Sequence, residues 1–357
     1  MARFVPSVGL LLAGGGIAAS LVEWTGVLSV PGVGNVPGLL AAVVATAAFE
    51  ARRHDVADRR VALVAGIGSG ILALSASVAL LYPVTVGRDP TVGYGLPAAF
   101  ALGVFGVGVA YADWLAVGRD AFLRKAGASL LALSIGVVGL VVGYLFALVG
   151  VALLPSGVPL VDRGVSTALF SVGLGVVAVG YTRYRDVGLA YFDVRWPDRR
   201  EWLHVAGGVV AMYVVLLAIG SLTSALGIPS TQHSIIAAAR ENPALLLPFV
   251  PLSWLAIGPG EELLSRNVVQ KSLYDSYSRR SAVVVGTVVF TLIHLPAYAT
   301  GGPAPIFATL VRLFAISLVL GVVYERTENV VVAALVHGTY DAIQFGLAYV
   351  ALTSGLF

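Results

Sequence analysis

Long apolar runs recur along this 357-residue chain from one end to the other, and many approach the roughly 20 residues that a helix needs to cross a bilayer. Charged residues make up only 11% of the chain, whereas an ordinary soluble domain carries about 25%. Only helices and closed barrels satisfy their backbone hydrogen bonds inside a bilayer. The runs therefore predict an all-α polytopic integral membrane protein, which we expect to be multi-pass in the cell (plasma) membrane.

Hydropathy and the positions of the polar loops together predict eleven transmembrane helices. The eighth is long, and we expect its backbone to break at Gly258-Pro259-Gly260, because glycine and proline are poor helix formers. The predicted spans are residues 4–22, 34–50, 61–83, 96–116, 128–153, 165–182, 203–222, 244–276, 281–298, 306–324 and 329–353.

The basic residues concentrate in alternate loops of this pattern. Cytoplasmic loops of membrane proteins carry an excess of lysine and arginine, so the alternation predicts a cytoplasmic N-terminus and a C-terminus outside. It also explains the net charge of +3 without nucleic acid as a partner. The residues concerned are Arg52, Arg53, Arg59, Arg60, Arg119, Arg124, Lys125, Arg183, Arg185, Arg195, Arg199, Arg200, Lys271, Arg279, Arg280 and Arg326.

A polar segment at residues 183–202 divides the chain. Before it, residues 1–182 form a predicted six-span membrane region with almost no internal charge, and glycines spaced four apart, as in Gly66/Gly70 and Gly139/Gly143, are typical of close helix packing. After it, residues 203–357 form a second predicted membrane domain, in which the polar residues of interest lie.

Seven charged or ionisable residues lie within or against apolar spans of this second domain. A charge at the bilayer centre costs at least roughly 2.5–3.5 kcal/mol, so such residues usually face a protein interior or a water-filled cavity. Residue counts from the basic loops place those of three helices at a similar depth, which predicts one shared site. They are Glu261, Glu262, Arg266, His294, Arg312, His337 and Asp341.

Helical spacing assigns partners within this set, because residues four apart share one face of a helix. Glu261 points about 100° away from its neighbour Glu262 and stays free to face a cavity. Arg312 either binds a substrate carboxylate or neutralises the glutamates. The predicted i,i+4 pairs are Glu262 with Arg266, Phe290 with His294, and His337 with Asp341.

Two kinds of hydrolytic chemistry fit such a cavity. A carboxylate beside an imidazole can take a proton from water and pass it to a leaving amine. Alternatively, Glu261, His294 and His337 can hold a divalent metal such as Zn²⁺ with one position open for water. The chain has no cysteine, which excludes thiolate metal sites and a cysteine nucleophile.

Three short motifs in this region resemble those of one family. "EELLSR" ends at Arg266, "FTLIH" ends at His294, and "HGTYD" ends at Asp341. In this order they resemble Glu-Glu-x-x-x-Arg, Phe-x-x-x-His and His-x-x-x-Asn/Asp of the CPBP family, the CAAX-protease and bacteriocin-processing intramembrane proteases also called Abi proteins. The resemblance covers roughly residues 200–357 and implies an all-helical membrane fold that hydrolyses peptide bonds.

The resemblance also implies roles for the motif residues. Glu261 would activate water, and His294 would assist it or hold a metal. Glu262 and Arg266 would orient the site. The implied substrate is a membrane-associated or lipid-modified peptide or protein that enters from the lipid bilayer or the cytoplasm.

The third motif would stabilise the oxyanion or complete a metal site through His337 and Asp341. Two departures from the family pattern bear on these roles. Many members have Asn where this chain has Asp341, and an ionised Asp would repel an oxyanion, which favours metal binding or orientation of His337. The first motif often continues Phe-Arg-Gly, where this chain has Ser265-Arg266-Asn267.

Two other functions fit the same residues. Buried Glu, His and Arg residues also build proton relays, so a proton-coupled transporter is one alternative. Transporters often show two paired broken helices, whereas this sequence predicts a prominent break at 258–260 alone. The other alternative is a non-catalytic scaffold that keeps the fold.

Overall fold

The computed structural model describes residues 3–27, 35–85, 95–155, 157–228, 231, 233–298 and 303–354. Within these residues every regular element is helical, as the apolar runs predict. The long helices are α1 (Phe4–Val27), α2 (Val36–Arg53), α3 (Val61–Thr85), α4 (Gly95–Trp114), α5 (Arg119–Leu153), α6 (Pro159–Tyr184), α7 (Glu201–Ala225), α9 (Pro243–Asp275), α10 (Arg279–Ile293), α12 (Pro303–Thr327) and α13 (Val330–Ser354); α8 (Ser234–Ala239) and α11 (Leu295–Tyr298) are short.

Nine of the helices in the described residues are long and apolar enough to cross a membrane. This confirms a multi-pass, all-α membrane protein. The other two predicted spans correspond to α2 and α10. Helix α2 ends in the charged pair Arg52-Arg53, and α10 has only 15 residues, which extend about 22 Å and fall short of a typical hydrocarbon core. The count of eleven spans and the orientation of the termini stay predictions.

The chain separates into two compact units. One comprises residues 1–126, 224–229 and 302–305, and the other comprises 127–223, 230–301 and 306–357. The predicted six-span region at 1–182 divides the chain differently, and its boundaries stay a prediction.

Helices α1 to α4 pack through small residues. Alanines such as Ala42 and Ala45 are fully buried, and a Cβ added to Gly68 would lie only 2.7 Å from the carbonyl oxygen of Ala41. At the predicted pair Gly66/Gly70 an added Cβ would meet only ordinary contacts of 3.4 and 3.7 Å, so Gly68, rather than either of these two, lies at the close approach of α3 to α2.

The second predicted glycine pair does lie at a close approach. A Cβ on Gly139 would come within 2.2 Å of the Leu264 side chain, and one on Gly143 within 2.8 Å of the Phe170 ring. Glycine therefore lets α5 pack closely against α9 and α6, as the small-residue spacing predicts.

Helix α9 does not break at Gly258-Pro259-Gly260, and that prediction is wrong. Residues Gly258–Glu262 are α-helical and lie between two π-helical stretches, Ser253–Ile257 and Leu263–Gln270. In the first stretch the amide of Gly258 donates to the carbonyl oxygen of Ser253, five residues back. The π-helical turns on either side keep the backbone helical through Pro259 and the two glutamates.

The glycines of this stretch permit close helix crossings instead. A Cβ on Gly258 would lie 2.6 Å from the carbonyl oxygen of Ala334, and one on Gly338 would lie 2.5 Å from that of Ser253. Helices α9 and α13 therefore cross with their backbones almost in contact. A Cβ on Gly260 would lie 2.8 Å from Ser171 Cβ, so α6 packs closely on another face of α9.

Candidate active site

Glu262 lies at the centre of a fully buried ion-pair cluster. Its Oε2 accepts from Arg266 Nε at 2.9 Å, which is the predicted pair within α9. Its Oε1 lies 2.8 Å from Nδ1 of His337 on α13, a contact that the Gly258–Gly338 crossing makes possible. Both side chains of the Glu262–Arg266 pair are 0% exposed, so neither charge has contact with solvent.

Arg266 is held from three directions. Besides Glu262, its Nη2 donates to Ser317 Oγ on α12 at 2.8 Å, and its guanidinium lies 4.9 Å from the centre of the Phe290 ring on α10. A planar, always charged guanidinium suits both bidentate and stacking contacts. Through these contacts the Arg266 side chain connects α10 and α12 to Glu262 on α9, the carboxylate that contacts His337.

Glu261 faces the other way, as its position on the helix predicts. Its Oε2 lies 3.3 Å from Nε2 of His294, which is the C-cap residue directly after α10. His294 Nδ1 lies 2.7 Å from the carbonyl oxygen of Phe290 and is therefore assigned as the ring's N–H donor. That bond leaves Nε2 facing the carboxylate, and the Phe290 ring lies 4.1 Å from the imidazole, as the i,i+4 spacing predicts.

His337 connects Glu262 to the third motif's carboxylate. While Nδ1 contacts Glu262, its Nε2 lies 3.4 Å from Asp341 Oδ2, four residues along α13. The Phe290 ring also stands edge-on to His337, with the ring centres 6.2 Å apart. The six predicted site residues thus lie together as a chain of four, Asp341–His337–Glu262–Arg266, beside the pair Glu261–His294.

A cavity of about 610 Å³ opens beside these residues. Four of the six site residues line it, together with apolar side chains such as Leu216 and Ile316 and with the tyrosines Tyr298 and Tyr340. Glu262 and Arg266 do not belong to its wall and lie behind it. The four are Glu261, His294, His337 and Asp341.

Comparison with known proteins gives one family. Residues 243–343 match the model of the Rce1-like family, described as type II CAAX prenyl endopeptidase Rce1-like. This match contains all three motifs and confirms the resemblance to CAAX proteases over this segment. Neither the curated proteins nor the solved structures contain a significant match to the chain.

The donor atoms of the Rce1-like segment do not converge as a metal site in this arrangement. Both nitrogens of His337 face carboxylates, and Nδ1 of His294 faces a carbonyl oxygen. Among the described residues no group of three or more His, Asp or Glu side chains is placed to hold a metal ion. The Glu261–His294–His337 metal site stays a prediction.

The sequence prediction missed several polar residues around the candidate site. Asn267 donates to Asp193 Oδ2 at 2.9 Å and to Tyr324 Oη at 2.8 Å. Lys271, one turn further along, lies 2.8 Å from both oxygens of Asp193. Asn267 and Lys271 are four apart on one helix face, which is the signal that could have indicated a shared partner.

Proposed function

We propose that the chain is an intramembrane endopeptidase in which Glu261 activates the water that attacks the peptide bond. The observation that carries the proposal is the Glu261–His294 pair, whose Oε2 and Nε2 atoms lie 3.3 Å apart on the wall of the cavity. The two side chains are only 18% and 19% exposed. The match to type II CAAX prenyl endopeptidases over residues 243–343 supports peptide-bond hydrolysis as the reaction.

The reaction would begin with a water molecule held beside Glu261 and His294. The Glu261 carboxylate takes one proton from the water as its oxygen bonds to the substrate's carbonyl carbon, which forms a tetrahedral oxyanion. The C–N bond then breaks, and the proton passes from Glu261 to the departing amine nitrogen. The neighbouring Nε2 of His294 orients the water and can carry the proton during this transfer.

His337 would stabilise the oxyanion. Its ring lines the cavity, its Nδ1 is held by Glu262 at 2.8 Å, and its Nε2 lies 3.4 Å from Asp341 Oδ2, a longer contact that would yield to the oxyanion. Preorganised donors in a water-poor site supply a large share of the stabilisation in acyl-transfer reactions. In this arrangement Asp341 orients the imidazole, as its identity as Asp rather than Asn favours.

Glu262 and Arg266 would act as positioning residues. They are fully buried and do not line the cavity, so a substrate does not reach them. Glu262 holds His337. Arg266 contacts the Phe290 ring, which packs against His294 at the C-terminal end of α10.

The proposed substrate is a membrane-associated or lipid-modified peptide. The cavity wall is largely apolar away from the catalytic pair, which suits a peptide that partitions into the bilayer. The family match supports a prenylated C-terminal peptide as the first substrate to test.

The test compares wild-type protein, Glu261→Gln and Glu241→Gln in proteoliposomes. Glu241 lies in an exposed segment before α9, so its change to Gln is a matched control. We expect cleavage of an S-farnesylated peptide, measured by mass spectrometry, to fall at least a hundredfold in Glu261→Gln and to stay unchanged in Glu241→Gln. Equal cleavage by Glu261→Gln and wild type would contradict the mechanism.

A chelator added to the wild-type reaction separates the two kinds of chemistry. Cleavage that persists in the chelator supports water activated by Glu261 with His294. Cleavage that disappears and returns with added Zn²⁺ would instead support the predicted metal site.

A further inference from the structure

Arg312 is a cation on the cavity wall that has no carboxylate partner among the described residues. It lies in the middle of α12, where its Nη2 donates to Thr223 Oγ1 at 3.3 Å, while its Nε is buried and has no hydrogen-bond partner. It forms no ion pair within the part of the chain that the structure describes. The alternative role predicted from the sequence, neutralisation of Glu261 and Glu262, is therefore not what its contacts show.

Arg266 and Arg312 each have one buried guanidinium nitrogen without a hydrogen-bond partner, and they differ in that only Arg266 has a carboxylate beside it. Arg266 has a carboxylate, a hydroxyl and an aromatic ring around its guanidinium, whereas Arg312 has one hydroxyl from a threonine. Taking an unpaired charge out of water is costly, so proteins usually pair it or use it to bind a ligand. An arginine fork matches the two oxygens of a carboxylate in geometry and charge.

The position of Arg312 suits an anion a few residues away from the reacting bond. Arg312 precedes Ser317 by five residues, or about 7.5 Å along the helix, and Ser317 contacts Arg266, the partner of Glu262. An extended chain of three residues spans roughly 10–11 Å. The tyrosine hydroxyls of Tyr298 and Tyr340 belong to the same cavity wall and can add donors.

We propose that Arg312 binds the free α-carboxylate at the substrate's C-terminus. The inference rests on the proposed peptidase function and adds the class of substrate terminus that the cavity selects. A peptide without a terminal carboxylate, or with the carboxylate too far from the bond, would lose this contact.

The binding experiment uses Glu261→Gln protein, in which cleavage does not interfere. The probe is a fluorescent peptide with an S-farnesyl cysteine followed by three apolar residues, prepared as the C-terminal acid and as the C-terminal amide. We expect the acid to bind roughly tenfold to a hundredfold more tightly than the amide, the range for hydrogen bonds to a charged group. Adding Arg312→Gln should abolish that preference without changing the affinity for the amide.

Two further variants control for the fold of the site and for the loss of an arginine elsewhere. Arg312→Lys retains the charge without the fork and should keep part of the preference, which shows that the site still folds. Arg240→Gln, an exposed arginine before α9, should leave the preference unchanged. Two results would overturn the inference. One is a preference for the acid that survives the Arg312→Gln change, and the other is equal binding of acid and amide by protein that retains Arg312.

The cleavage assay separates this inference from the proposed function. In wild-type protein the acid should be cut with a kcat/KM above that of the amide by the same factor, and Arg312→Gln should cut both at the amide's rate. If no cleavage depends on Glu261 but the acid preference in binding still depends on Arg312, the peptidase proposal fails while the carboxylate site stands. If cleavage depends on Glu261 and both peptides are cut equally, only the carboxylate site fails.

Discussion

The first four helices and the helices around the cavity pack closely by the same means but bury different groups. In α1 to α4 the core is largely alanine and glycine, with few polar groups such as Ser69 and Asp113. Around the cavity, Glu262, Arg266 and His337 are buried within a cluster of charges. Close packing of membrane helices does not require buried ions, so a network of several charges with a fully buried ion pair at its centre indicates a function around the cavity.

The largest effect should come from unpairing the buried charge. Arg266→Met leaves Glu262 buried without its main partner, which should lower the free energy of unfolding by roughly 3–5 kcal/mol. Arg52→Met, at the partly exposed Arg52–Asp113 pair of the first region, should cost only about 1.5–3 kcal/mol. Denaturant titration of both variants in the same detergent measures the difference, and equal losses would break the comparison.

Changing a glycine at a close helix crossing should lower stability equally in the two regions, but it should lower activity only in the region around the cavity. Gly258→Ala and Gly68→Ala each push a methyl group against a carbonyl oxygen, at 2.6 and 2.7 Å, and should cost about 1–3 kcal/mol. Only Gly258→Ala should also reduce cleavage, because it separates Glu262 from His337.

Gly108→Ala is the control for these glycines, because an added Cβ there meets no atom within 4 Å. It should be neutral or slightly stabilising, since alanine is the better helix former. A matching loss of cleavage in Gly68→Ala would show that the activity reports stability alone.

The smallest effect should come from a polar contact outside the membrane-spanning segments. Asp198 Oδ1 accepts the backbone amides of Glu201 and Arg200 at the start of α7, and the Glu201 amide in particular lowers the pKa of this carboxyl. Asp198→Ala should lower the Tm slightly at pH 7. Because the folded-state pKa is depressed, the difference should be lost as the pH falls below the ordinary carboxyl range toward that pKa, and a difference that grows in acid would contradict the assignment.

The sequence predicts the parts of the site that depend on one helix. Apolar runs indicate the helices, and i,i+4 spacing indicates the Glu262–Arg266 and Phe290–His294 contacts, because both partners share a face. The Glu262–His337 contact joins residues 75 apart and depends on how α9 and α13 cross. Nothing local in the sequence specifies that crossing.

The error at Gly258-Pro259-Gly260 has a physical reason. Glycine and proline are read as helix breakers because of their intrinsic propensities, but tertiary packing decides here. The missing Cβ atoms let α13 and α6 approach the backbone, and the π-helical turns on both sides keep α9 continuous. The span count, the orientation and the domain boundaries depend on the bilayer and stay predictions.

The proposed mechanism is tested most directly by comparing Glu261, which would activate the water, with its neighbour Glu262, which would position His337. Cleavage and Tm would be measured for wild type, Glu261→Gln and Glu262→Gln in the same proteoliposomes. We expect Glu261→Gln to keep a Tm close to that of wild type and to lose cleavage. Glu262→Gln should lower both, because it weakens the contacts of residue 262 with Arg266 and His337. Full cleavage by Glu261→Gln, with loss confined to Glu262→Gln, would contradict the claim that the cavity-facing carboxylate performs the chemistry.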